Sequence, residues 1–217
     1  MTELYKYTVY PAAEERINIV SHGLGLLLSI AALVLLVLKA SGALQVVSVT
    51  VFAASMIALY SSSTIYHSTD NVARRAWLRT VDHAMIYVLI AGTYTPFALL
   101  VLKGTIGWVV FGIAWAMAVT GIVIKLFHTG KYDKISTAMY VFMGWIIIFV
   151  IKPLIASFSG EGLTWLFAGG VFYTLGALFY SIRNMPFGHA TFHVFCLLGS
   201  ACHFVSVYFF VLPPISS

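Results

Sequence analysis

Charged residues are scarce in this chain, because Asp, Glu, Lys and Arg together make up only 9% of its 217 residues. Soluble globular domains carry about 25% charged residues. Hydrophobic residues reach 61% and the mean hydropathy is +0.97. This composition excludes an ordinary soluble protein and is typical of a membrane protein.

Cysteine is also rare, with only two residues in the chain. Cys196 and Cys202 fall in the same apolar run, six positions apart and on different faces of a helix. A disulfide needs closely spaced Cα atoms with converging side chains. We therefore expect no disulfide.

Apolar runs are what the chain has in abundance, and each is near the roughly 20 residues that a helix needs to span a bilayer. We predict an all-α integral membrane protein, a seven-transmembrane-helix bundle that forms a single domain over residues 1–217. The first run follows acidic residues and lacks a clear cleavage site, so we expect no signal peptide. The predicted helices cover residues 17–38, 43–66, 81–102, 105–126, 135–155, 163–182 and 188–211.

The net charge of +5 is spread unevenly over the connections between these runs. One side carries Lys6, Arg16, Arg74, Arg75, Arg79, Lys125, Lys131, Lys134 and Arg183. The other side carries Lys39, Lys103 and Lys152. Basic residues in short loops favour the cytoplasmic side. The distribution therefore predicts a multi-pass protein of the cell membrane with a cytoplasmic amino terminus and an outside carboxyl terminus, and it makes a nucleic-acid partner unnecessary.

The last apolar run carries a stripe of polar side chains at helical spacing. Its members are His189, His193, Cys196, Ser200 and His203. His189 and His193 are one turn apart, so both imidazoles can bind one metal ion from the same face. Ionisable groups inside a membrane are costly and usually serve a function.

The second run ends with Ser63 and His67, also one turn apart, and Asp82 begins the third run after a short basic loop. Antiparallel helices bring these residues to a similar depth. Three imidazoles with one open position describe a catalytic zinc site. Asp82 could then handle the proton of an attacking water and Ser63 could orient that water or polarise a carbonyl. The position near a membrane boundary favours a lipid as substrate or ligand.

Other interpretations compete for the single histidines. His83, His128 or His203 taken alone could snorkel or bond a backbone carbonyl. His203 lies ten positions beyond His193, hence ~15 Å away along the helix, too far to bind the same ion. A retinal protein is rejected because the last run has no Lys. A haem protein would use facing histidine pairs. The candidates for such pairs are His22, His67, His193 and His203.

The motifs in their order resemble those of the hemolysin III proteins, the bacterial branch of the progestin and adiponectin receptor family. They are ERINIVSH from Glu15 to His22, STIYH from Ser63 to His67, Asp82 in DHAMIYVLIAGTYTPF, and HATFH from His189 to His193. The resemblance implies a seven-helix fold with zinc bound by His67, His189 and His193, beside Asp82 and Ser63. It also marks Glu15, Asn18, His22 and His203 as further family positions.

The same family is similar to alkaline ceramidases, which implies zinc-dependent hydrolysis of a lipid amide or ester. The alternative is a non-enzymatic membrane protein in which zinc is structural. Such a protein would regulate membrane lipid state or energetics, or would form a haemolytic pore. The sequence leaves the lipid, the turnover and the oligomeric state open.

Overall fold

Long helices form nearly all of the structure, a computed structural model that describes residues 10–128, 133–182 and 184–212. The eight α-helices are α1 (Ala12–Lys39), α2 (Ala43–His67), α3 (Val72–Pro96), α4 (Gly104–His128), α5 (Asp133–Gly144), α6 (Ile151–Ser157), α7 (Gly160–Ser181) and α8 (Gly188–Ser206). Short π-helical segments extend α3 through Phe97–Leu102 and α8 through Val207–Val211.

Seven helical segments in this part of the chain are long and apolar enough to cross a membrane. The seven-helix membrane bundle is thus confirmed, and the protein is a multi-pass membrane protein. The direction in which the bundle crosses stays a prediction. The basic residues Lys6, Lys131 and Arg183 lie outside the described residues, as do the side chains of His128 and Lys134.

Two helices begin earlier than hydropathy alone predicts. Helix α1 starts at Ala12 instead of 17, and α3 starts at Val72 instead of 81. The added turns carry polar groups that point inward, since Glu14 and Arg75 are both buried. Asn71 caps α3 by accepting a hydrogen bond from the Arg74 amide at 3.0 Å. Polar side chains therefore extend these helices at the end of the bundle where α1 and α3 begin.

Helix order around the bundle follows the chain, with α1 against both α2 and α8, α2 against α3, and α7 against α8. Close approach of α2 and α3 depends on Gly92, where a Cβ atom would lie 2.2 Å from the Ser55 hydroxyl oxygen. Small residues permit such contacts between membrane helices. The site end of the bundle is defined here as the end that holds the start of α1, the end of α2, and the starts of α3 and α8.

The fifth membrane segment is not one continuous helix. After α5 ends at Gly144, a 3₁₀ segment follows over Ile146–Val150 before α6 begins. Tyr94 of α3 satisfies two backbone groups at this break, because its hydroxyl donates to the Gly144 carbonyl at 2.8 Å and accepts from the Ile147 amide at 3.0 Å. Backbone groups freed inside a membrane need such partners.

Candidate metal centre

Three histidines converge at the site end of the bundle. His67, His189 and His193 each offer one ring nitrogen, and these nitrogens all lie within 4.8 Å of one another. Their ring centroids are 4.5 to 5.0 Å apart. All three side chains are buried, with at most 6% of any residue exposed. We refer to them as the three-histidine group.

Helix geometry explains how these residues meet. His67 is the last residue of α2, and His189 lies in the first turn of α8. His193 follows His189 by one turn, so both rings leave α8 on the same face. The one-turn spacing aligns the two histidines of α8, and the packing of α2 near α8 brings His67, 122 positions before His189, next to them.

The His67 ring is held by Glu15 of α1, whose Oε2 lies 2.6 Å from Nδ1. Glu15 also pairs with Arg75 of α3, and Asn18 donates to the same carboxylate oxygen at 3.3 Å. A carboxylate can only accept, so the hydrogen sits on Nδ1 and the Nε2 lone pair is free. That Nε2 atom faces Nε2 of His189 at 3.1 Å.

The His193 ring is oriented by α1 as well. Its Nδ1 lies 3.4 Å from the Asn18 carbonyl oxygen and 3.5 Å from the Ser21 hydroxyl. A carbonyl partner at Nδ1 assigns the hydrogen to that atom and leaves Nε2 with its lone pair. The His22 ring stacks on the His193 ring, and the two ring planes are within 5° of each other.

The donor set fits a zinc ion. Zinc binds imidazole nitrogen at about 2.0–2.1 Å in tetrahedral geometry, which separates two ligand nitrogens by about 3.3 Å. The 3.1 Å between the Nε2 atoms of His67 and His189 is close to that separation. Metal-ligating histidines also present their second nitrogen to a carboxylate or a carbonyl, as His67 and His193 do here.

Asp82 and Ser63 lie beside this group without belonging to it. Asp82 is 5% exposed, and it lies near His67 and the Ser63 hydroxyl. The Ser63 hydroxyl is completely buried beside the Asp82 carboxylate. A buried carboxylate and a buried hydroxyl next to three imidazoles are groups that can transfer protons or bind a polar ligand atom.

A cavity runs from this centre into the bundle between α3, α5, α7 and α8. Asp82, His189 and His193 line one end, and Phe97 and His203 line the other. The wall between them consists mostly of aliphatic and aromatic side chains. By helical rise, the ten positions from His193 to His203 span ~15 Å. The cavity is therefore elongated and mostly apolar, with Asp82, His189 and His193 at one end and His203 at the other.

Tyr10 covers the three-histidine group and was not identified from the sequence. Its ring stacks on His189 with centroids 4.6 Å apart and lies 5.9 Å from the His67 ring. Burial raises the pKa of Tyr10 far above its ordinary value, and nearby Tyr180 adds to the effect, so the phenol stays neutral. A single tyrosine before the first helix carries no sequence signal that could have revealed this contact.

Glu14 is a second residue missed as a site residue. Its Oε1 atom accepts hydrogen bonds from the backbone amides of His189 at 3.1 Å and Ala190 at 3.4 Å. The adjacent acidic residues at the start of α1 were visible in the sequence, but a contact across 175 residues was not.

His203 lies at the far end of the cavity, where its Nε2 donates to the Leu166 carbonyl at 3.1 Å. The backbone-carbonyl interpretation therefore accounts for this residue, and Gly169 makes room for its ring. Cys196 and Cys202 are both buried and free.

Comparison with known proteins matches residues 10–204 to the model of a family described as Haemolysin-III related. The chain is 43% identical to Hemolysin-3 of Bacillus cereus over the full length of both chains. It is 46% identical to the Hemolysin-3 homolog of Bacillus subtilis over 93% of this chain and 96% of that protein. The human Monocyte to macrophage differentiation factor is 26% identical over 94% of this chain and 86% of its own length.

Proposed function

The chain belongs to the haemolysin-III related family, and we propose that it is a zinc-dependent membrane hydrolase that cleaves a lipid amide or ester. One observation carries this proposal: a buried three-histidine group lies beside a carboxylate at the end of an apolar cavity. Ligand pockets commonly combine such apolar walls with a few convergent polar groups.

His67, His189 and His193 would hold the zinc ion. The chemistry that zinc supplies when bound is Lewis acidity, which polarises a carbonyl and makes water acidic near neutral pH. Three protein ligands leave one position for that chemistry, whereas structural sites usually fill all four with protein groups. Within the described residues, Asp82 lies outside the set of atoms close enough to share the ion, which favours a role in proton transfer.

Asp82 would act as the general base and acid. It accepts a proton from the attacking water as that water adds to the carbonyl carbon. It returns the proton to the leaving nitrogen or oxygen when the carbon–nitrogen or carbon–oxygen bond breaks. The buried Ser63 hydroxyl, close to Asp82, would orient the water or the carbonyl oxygen.

A membrane lipid suits the cavity because its acyl chain would lie along the apolar wall with the amide or ester near the histidines. Only an apolar chain satisfies aliphatic and aromatic side chains over ~15 Å without leaving polar groups unpaired. The polar carbonyl of such a lipid would then reach the end of the cavity that Asp82, His189 and His193 line.

Metal analysis of the purified protein tests the centre. We expect about one zinc per chain in the wild type, and loss of that zinc when His67, His189 and His193 are all replaced by Ala. His203→Ala is a matched control, because it removes a buried histidine at the opposite end of the cavity. Wild-type protein without zinc, or a triple variant with unchanged zinc, would contradict the proposal.

Lipid turnover tests the reaction. Purified protein in mixed micelles would be incubated with an N-acyl sphingosine or a diacyl ester lipid, and fatty acid release would be measured. Asp82→Asn should lower the rate by at least about 100-fold, since a positioned acid or base contributes 10²–10⁴-fold, and zinc should remain bound. Asp70→Asn, an exposed carboxylate in the α2–α3 connection, should leave the rate unchanged.

The name of the Bacillus cereus relative, Hemolysin-3, supports a second candidate, a membrane-lysing protein in which zinc is a structural clamp. Liposomes that contain the purified chain and a trapped dye separate the two. Zinc-bound protein that causes no leakage but releases fatty acid favours the hydrolase. Leakage that persists in Asp82→Asn without fatty acid release favours lysis.

A further inference from the structure

We infer that Glu14 and Glu15 together form a clasp, in which each carboxylate positions a different half of the three-histidine group. This inference rests on the proposed function, because it assigns these residues a role toward the zinc ion. The two residues are adjacent in the first turn of α1, yet they contact different helices.

Glu15 acts on the ligand from α2. Its Oε2 atom is 2.6 Å from Nδ1 of His67, which fixes the ring tautomer and turns Nε2 toward His189. Arg75 holds the other carboxylate oxygen, and Asn18 donates to Oε2. The carboxylate is thus fixed from two further sides, and the His67 ring cannot rotate without breaking its contact to Glu15.

Glu14 acts on the two ligands from α8 through the backbone. The first amides of a helix have no partner within the helix and need an external acceptor. Phe187, which precedes α8, provides no side-chain cap. Glu14, only 6% exposed, supplies that acceptor to the amides of His189 and Ala190, and its negative charge also suits a helix amino terminus.

The consequence is that one turn of α1 sets the separation between the two halves of the site. Adjacent residues of a helix point about 100° apart, so neighbouring side chains can reach α2 and α8 on either side. A carboxylate that holds the second nitrogen of a ligating histidine, as Glu15 does, typically contributes 10- to 100-fold to metal affinity. Glu14 and Glu15 are therefore positioning residues, and neither needs to touch the ion.

The test measures zinc affinity of full-length protein in detergent by competition with a chelator. Glu15→Gln should weaken zinc binding about 10- to 100-fold. Glu14→Ala should weaken it by threefold or more, and the double variant should bind more weakly than either. Glu161→Gln is the matched control, since Glu161 is also acidic and in a helix first turn but is exposed at the start of α7. Its affinity should equal that of the wild type.

A spectroscopic readout separates positioning from general stability. Cobalt replaces zinc in the same proteins, and its visible absorption reports the arrangement of ligands. Glu15→Gln should shift the cobalt bands of the folded protein, whereas loss of the ion pair with Arg75 lowers only the thermal midpoint and leaves the ligand geometry of a folded molecule unchanged. If Glu14→Ala does not fold, Glu14→Gln is measured instead, and its loss of charge should still weaken zinc binding by threefold or more.

Zinc affinities within threefold of the wild type in all Glu14 and Glu15 variants, with unchanged cobalt spectra, would overturn the clasp and leave the metal centre standing. Wild-type protein that binds no zinc would overturn the proposed function and the clasp together. The two failures are therefore distinguishable in one set of measurements.

Discussion

The imidazole rings of His22 and His193 lie face to face, with centroids 3.5 Å apart and planes within 5° of each other. Tyr60 packs edge-on against His22 at 5.0 Å. Both ring nitrogens of His22 are buried and form no hydrogen bond within the described residues. His22 therefore acts as a flat packing surface for a site residue, which gives this family position a physical role.

Replacing His22 by Phe should preserve the stack, because a phenyl ring offers the same flat face without unpartnered nitrogens. We expect full zinc content and a free energy of unfolding at or above that of the wild type. His22→Ala removes the ring from a packed interior and should destabilise the protein by about 1 to 3 kcal/mol. Metal analysis and chemical denaturation measure both effects. Loss of zinc in His22→Phe would show that a ring nitrogen of His22 is needed.

Tyr94→Phe should destabilise the fifth membrane segment by about 1 to 3 kcal/mol, since it leaves the Gly144 carbonyl and the Ile147 amide without their partner. Thermal unfolding in detergent measures the change. Tyr208→Phe is the matched control, because the Tyr208 hydroxyl forms no hydrogen bond within residues 10–128, 133–182 and 184–212. Equal stability of the two variants would contradict a bridging role for Tyr94.

Gly169→Ala and Gly170→Ala form a pair of neighbouring substitutions with different expected results. A Cβ atom at Gly169 would lie 2.4 Å from the His203 ring, whereas one at Gly170 would lie 3.6 Å from Trp145. Overpacking a membrane helix contact at Gly169 should cost about 1 to 3 kcal/mol, and Gly170→Ala should be nearly neutral. Unfolding of both proteins is compared, and a neutral Gly169→Ala would argue against close packing of α7 on α8.

Two single-cysteine substitutions test the predicted orientation. Ser41 lies between α1 and α2, and Asp70 lies between α2 and α3, and both are exposed at opposite ends of the bundle. A membrane-impermeant maleimide added to intact cells should label Ser41→Cys but label Asp70→Cys only after permeabilisation. The native cysteines are buried and serve as the background. The reverse labelling pattern would place the amino terminus outside.

Much of the fold follows from composition and periodicity. Apolar runs of bilayer length predict the seven membrane segments, because a spanning helix must satisfy its own backbone and shield it from lipid. The break after Gly144 was not predictable, since the hydroxyl of Tyr94 that compensates for it comes from another helix. Hydropathy also places the starts of α1 and α3 too late, because it counts their buried polar residues as loop.

Some residues of the site were also predictable from the sequence, and others were not. Helical spacing in the sequence identified His189 and His193 as a pair on one face, and the same spacing linked Ser63 to His67. The roles of Glu14 and Tyr10 depend on contacts between segments that are far apart in the chain. Such contacts are fixed by how helices pack, and a single sequence carries no periodic signal for them.

The distance in sequence between His67 and His189 also has a consequence for biosynthesis. The ribosome adds 122 residues between these two histidines, which takes about 6 to 24 s at ~5–20 residues per second. Throughout that interval the nascent chain contains Glu14, Glu15 and His67 but not α8, which carries the other two histidines. The complete set of histidines can assemble only after synthesis has passed His193 in α8, so a chain that stops before α8 cannot form it.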